Sequence, residues 1–173
     1  MRGPKPEFTD FSQYPDLVVI YLGMYALTWR GTFNLLKTGP EINKAVAEKP
    51  DGLLKHEQFV MGMFPLHLGM RQYWRDFDAL ERWSRSNSIH MGWWKSFMSD
   101  PAGKGTAFWH EAYSMKGSME AVYINVNKPL GAKSFAPAKP ATGTMFSARR
   151  RLGRSGEHTV DVPLPEENYA AGD

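Results

Sequence analysis

The chain has 173 residues, of which 42% are hydrophobic and 23% charged, with 21 Lys plus Arg against 18 Asp plus Glu. That balance supports a cored globular fold, and a net charge of +3 is too small and too scattered to indicate a nucleic-acid partner. Cysteine is absent, which excludes disulfides, thiolate metal sites, iron–sulfur clusters and a cysteine nucleophile and fits a reducing, cytoplasmic setting.

The longest largely apolar run, Leu17 to Leu27, is far short of the roughly 20 residues that span a bilayer. Met1 to Asp10 contains two prolines and no apolar core of the kind a secretory leader carries. A soluble protein with no membrane span is the expectation. Ten Met, ten Phe, seven Tyr and six Trp imply either a bulky core or a roomy apolar pocket.

Residues 1–15 read as a polar lead-in. Leu17 to Leu22 is a β-branched and aromatic run, expected as a buried strand. Trp29 to Val46 carries Phe33, Leu36, Ile42 and Val46 near helical spacing, with Gly39-Pro40 forcing a kink or a break. After the Pro50-Asp51-Gly52 turn, Leu53 to Met61 reads as a strand. Leu66 to Trp74 alternates, placing Leu66, Leu68, Met70, Gln72 and Trp74 on one side and His67, Gly69, Arg71 and Tyr73 on the other. Asp76 is the expected N-cap of a helix bearing Phe77, Leu80 and Trp83. Ser86-Asn87-Ser88 is a candidate interruption, beyond which His90, Trp93, Trp94 and Phe97 resume helical spacing. Thr106 to Met115 and Met119 to Asn127 are expected as two strands of a hairpin turning at Lys116-Gly117-Ser118. Residues 128–147 hold three prolines and read as an arm, followed by the basic run at Arg149 to Arg151 and an acidic end.

The first six of these elements match the split βαβ pattern of a ferredoxin-like α+β unit, an antiparallel sheet with both helices on one face. The expected organisation is a lead-in at 1–15, the α+β domain at 16–127, and an arm and charged tail at 128–173. The uncovered sheet face calls for a cover, and a second copy would make a homodimeric α+β barrel. The expectation is that twin sheets close over an apolar hollow with histidine rings aimed inward.

Residues Trp74 to Trp83, followed by His90, resemble the antibiotic-biosynthesis monooxygenase superfamily. Tyr21-Leu22-Gly23-Met24, Asp51 to Glu57, Gln72 to Arg75, His90 to Phe97 and Trp109 to Tyr113 are similar, as a set, to a monooxygenase-like family of bacterial and fungal proteins. One fungal member of that family is linked to fumagillin biosynthesis. The resemblance implies oxygenation of a hydrophobic biosynthetic intermediate with no cofactor: the substrate is deprotonated and its carbanion passes an electron to O₂. The protein then supplies a base, an anion hole and a dry chamber. A haem-degrading branch of the superfamily uses a histidine as iron ligand, so the resemblance also implies an alternative, haem held by His90 for an oxygenase, dehydratase or isomerase reaction. A non-enzymatic ligand-binding dimer is the third reading.

The candidate catalytic residues are His90 or His110 as base, Glu57 as the acid/base partner of His110, and Arg71 for an anion. His56-Glu57 and His110-Glu111 sit on strands, where neighbours point to opposite faces, so only one of each pair can reach a pocket. A helical H-E-x-x-H spacing is absent, and no metal is expected. Trp94, Phe97, Trp109 and Tyr73 are the candidate substrate walls, within an aromatic set that also holds Trp93, Phe108 and Tyr113. No G-x-G-x-x-G, P-loop or G-x-S-x-G motif is present, leaving nicotinamide, nucleotide and serine-hydrolase readings without support.

Overall fold

The computed structural model describes residues 5–99, 105–116, 118–126, 129–146 and 148–152. The chain divides into two compact units, Tyr14–Gly117 and Met1–Gln13 with Ser118–Asp173. In chain order the elements are β1 (Pro6–Thr9), β2 (Val18–Ala26), α1 (Trp29–Ala47), β3 (Leu53–Met63), β4 (Leu66–Trp74), α2 (Phe77–Ser86), α3 (Ser88–Ser99), β5 (Thr106–Ser114), β6 (Val122–Ile124), β7 (Ala138–Pro140) and α4 (Ala148–Arg151). Among the described residues, no helix is long and apolar enough to cross a membrane.

The larger unit is the ferredoxin-like α+β arrangement. Its four strands pair antiparallel in the order β3-β4-β2-β5. In-register partners share a face. Val18, Ile20, Leu22 and Met24 of β2 therefore face the same way as Trp74, Gln72, Met70 and Leu68 of β4, and as Ser114, Ala112, His110 and Phe108 of β5. This is the helix-covered face. Its core gathers at the two ends of β2: Val18, Trp74, Ala79 and Leu80 at one, Met24, Ala26 and Leu35 at the other. Ile20 and Leu22, between them, are only partly buried.

Local chemistry sets the helix positions. Thr28 caps α1, its Oγ1 accepting from the Gly31 N–H at 3.1 Å. Gly31 has no room for a side chain, because a Cβ there would sit 1.8 Å from the Gly105 carbonyl oxygen. The bare backbone lets α1 press against the start of β5. Pro40 does not break α1, which runs unbroken to Ala47. The carbonyl orphaned by its missing N–H is that of Leu36, a residue 58% exposed, so water can satisfy it. Asp76 caps α2, accepting from the Ala79 N–H at 2.7 Å, which contributes about 1 kcal/mol.

The smaller unit corrects the expected hairpin. Strand β6 does not pair with β5; it pairs antiparallel with β1, which also pairs with β7, in the order β6-β1-β7. Residues 6–9 of the lead-in and 138–140 of the arm are thus strands, tied by ion pairs of Lys133 with Glu7 and Lys139 with Asp10. Arg151 of the basic run binds Glu120 at 2.8 Å. The Arg149 side chain and the acidic end lie outside the described residues.

Candidate active site

Between the two core clusters, the middle of the sheet and the three helices of the larger unit line a partly open cavity of about 530 Å³, within the usual range for small-molecule sites. Ile20, Leu22, Met70, Gln72, Phe108 and His110 form its floor; Ile42 of α1, Leu80 and Trp83 of α2, and His90 and Trp94 of α3 form its roof. The hollow therefore lies under the chain's own helices, on the face opposite to the one where twin sheets were expected to enclose it.

His90 is placed by the break between α2 and α3. Asn87 ends α2, its N–H donating to the Trp83 carbonyl at 2.9 Å. The Asn87 side chain then caps α3, its Oδ1 accepting from the His90 N–H at 2.9 Å. Breaking the helix leaves the last carbonyls of α2 without their i+4 donors, and His90 Nδ1 lies 2.8 Å from one of them, Ser84 O. A carbonyl only accepts, so Nδ1 carries the proton and Nε2 carries the lone pair. The ring also packs on Trp83 at 5.2 Å between centroids, and Trp83 on Trp74 at 5.3 Å. The imidazole is thus set in tautomer and in direction.

Around Gln72, three side chains form a chain of hydrogen bonds. The Trp74 indole N–H donates to Gln72 Oε1 at 3.0 Å, and Gln72 Nε2 donates to His56 Nδ1 at 3.2 Å. His56 therefore bears its proton on Nε2, which is buried with no partner among the described residues; Trp83 Nε1 is in the same state. Burial pushes the His56 pKa below its ordinary 6.5, against an opposing pull from Glu57. The unfolded chain then takes up a proton more readily than the folded one, so this group's contribution to stability is full above about pH 6.5 and is lost as the pH falls toward the folded value. Urea unfolding should show wild type losing stability below about pH 6.5 faster than His56→Asn, which keeps an acceptor at the Nδ1 position and removes the titration.

The other expected residues divide between the faces. His90, His110 and Trp94 all line the cavity. His110 is exposed, its ring against Phe108 at 5.7 Å, and Trp94 also packs edge-on against Phe108 at 5.7 Å. Glu57, Arg71, Tyr73 and Trp109 do not line it. They share a face with Tyr21 and Gly23, one residue out of phase with Leu22 and His110. Glu57 cannot meet His110, since the pleat puts the sheet between them. Arg71 binds Glu57 through Nε and Nη2, at 3.0 and 2.6 Å, and donates to Tyr21 Oη at 2.9 Å. Burial opposes its charge, and the hydrogen bond to Glu57 together with the charges of Tyr73, Glu57 and Tyr21 outweighs that, raising the Arg71 pKa. Trp109 donates to His67 Nε2 at 3.1 Å and covers Gly23, where a Cβ would meet the indole at 2.7 Å. Tyr113 lies on that face too, hydrogen-bonded to Glu111. The Trp93 and Phe97 side chains lie outside the described residues.

Gln72 and Trp83 were not among the candidates. The signal for Gln72 was a single polar residue on the apolar alternation of Leu66 to Trp74. Trp83 gave none beyond its helical spacing.

Two solved structures share the fold. An aldoxime dehydratase, OxdRE in complex with butyraldoxime, is 21% identical, with a TM-score of 0.64 over 87% of this chain and 43% of its own. A second aldoxime dehydratase is 22% identical, with a TM-score of 0.63 over 87% and 44%. The chain thus spans less than half the length of either. SnoaB, a cofactor-independent oxygenase from Streptomyces nogalater, is 12% identical, with a TM-score of 0.42 over 57% of this chain and 92% of its own. Comparison with curated protein sequences finds no match. The family model described as Monooxygenase af470-like matches residues 17–132.

Proposed function

The chain belongs to the Monooxygenase af470-like family, and from that premise we propose that it oxygenates a hydrophobic small molecule held beneath its helices, with no metal or flavin. The observation that carries this reading is His90: a lone-pair nitrogen set by the Ser84 carbonyl, in the wall of a mostly apolar cavity. Such a nitrogen is suited to take a proton from an activated C–H or a phenol. The resulting carbanion gives an electron to O₂, and recombination makes a peroxide. Return of the proton from His90 and loss of water convert the CH₂ to a carbonyl, so that one O₂ yields one product oxygen and one water. Dithranol, an enolisable flat tricycle, is a suitable probe: oxygen uptake catalysed by the protein as purified supports the reading, and uptake no faster than in buffer overturns it. Bound dithranol without uptake would instead favour a ligand-binding protein.

The same hydrogen bond favours a second reading. An imidazole whose Nδ1–H is held by a carbonyl offers Nε2 to a metal, and the cavity's size and apolar walls suit a haem. Haem, when bound, would supply oxygen activation or a Lewis-acidic iron. The chain's part would be Nε2 of His90, which would hold the iron, and the stacked Trp83 that steadies its ring. Titration with haemin tests this: a Soret band that shifts in wild type and not in His90→Ala supports axial ligation, and identical spectra refute it.

A homodimer accompanies either reading. The face with Arg71, Tyr21 and Trp109 is the one the helices of the unit do not cover; Tyr73 and Val19 on it are already buried, and a second copy would close the part that is not.

A further inference from the structure

We propose that Gln72 is the residue by which the cavity selects an oxygen-bearing ligand, its second amide N–H donating to a carbonyl or enolate oxygen of the bound molecule. This rests on the cavity being the substrate site, as read above, and deepens it. Gln72 is only 3% exposed, yet it lies in the cavity floor among Ile20, Leu22 and Met70. Its orientation follows from its partners. The Trp74 indole can only donate, so the 3.0 Å contact assigns Oε1 to that side and the NH₂ group to His56. One amide hydrogen is spent on His56 Nδ1. The other faces the Met70 thioether at 3.9 Å, a weak acceptor. A buried amide donor with so poor a partner gains when an oxygen arrives, and an oxygen-free ligand of the same shape gives it nothing. Trp74 and His56 act as positioning residues, keeping the carboxamide from turning its oxygen toward the ligand.

The test uses fluorenone and fluorene, flat tricycles that differ in C=O against CH₂, with binding read from quenching of tryptophan fluorescence. Wild type should prefer fluorenone by about tenfold. Gln72→Met, close in length and volume, should abolish that preference while leaving fluorene affinity within about twofold. A measurement on wild type alone stands in should that variant fold poorly: the infrared carbonyl band of fluorenone should move to lower frequency on binding. A preference retained in Gln72→Met, or a carbonyl band unmoved in wild type, overturns the assignment. Failure of wild type to bind either compound overturns it together with the cavity reading. The preference seen without any oxygen uptake from dithranol supports Gln72 and removes only the catalytic reading.

Discussion

Replacing His90 with alanine should lower protein-catalysed oxygen uptake from dithranol by about 10²- to 10⁴-fold, the usual contribution of a positioned base. Ligand affinity should change little, because the ring contributes one edge of a wide apolar wall. The loss should therefore fall on kcat, with KM near its wild-type value. The α3 cap survives the change, since Asn87 accepts from the His90 backbone N–H. His110→Ala is the matched control. His110 lines the same cavity but is exposed, and among the described residues no hydrogen bond to its ring comparable to the Ser84 contact sets its tautomer. Its rate should stay in the wild-type range. Equal losses in both variants would remove the distinction between them.

What was legible in the sequence was local. The alternation from Leu66 to Trp74 is β4 to the residue, because one face of that strand packs on helices and the other does not. Asp76 and Asn87 were visible as punctuation, since a short polar side chain at a helix end has one economical role. The side of α3 bearing His90 and Trp94 followed from helical spacing, and the cavity meets it. What was not legible was long-range. Pro6–Thr9 pairs with residues more than 100 positions away, and strands of three or four residues carry too little periodicity to announce a partner. A cavity beneath the helices does not follow from composition, which reports aromatic load without saying which alternation faces helices. Trp109 and Arg71 have the residue types of a binding wall, yet they fall one position out of phase with His110 and Gln72. On a strand, that single step is the difference between the two faces.

Trp74→Ala should be the most damaging single change to stability, costing about 3–5 kcal/mol in urea unfolding, with a further loss from the Gln72 oxygen left buried without its donor. Trp74 is fully buried, packs with Val18, Ala79 and Leu80, and carries the ring stack that reaches Trp83 and His90. The two contributions separate. Trp74→Phe keeps an aromatic ring in the core but removes the indole N–H together with part of the ring volume, so it should cost about 1–3 kcal/mol, from the orphaned amide oxygen and a smaller cavity together. That cost should shrink when Gln72 is already methionine, since no acceptor remains to be orphaned. A double-mutant cycle over Trp74→Phe and Gln72→Met should therefore return a coupling of about 1 kcal/mol. Additive losses would mean that the hydrogen bond at 3.0 Å contributes nothing to the fold, and that the carboxamide is free to turn. The cavity floor and the core beneath it would then be separate structures; coupling makes them one, with the side chain that stabilises the sheet also aiming the donor above it.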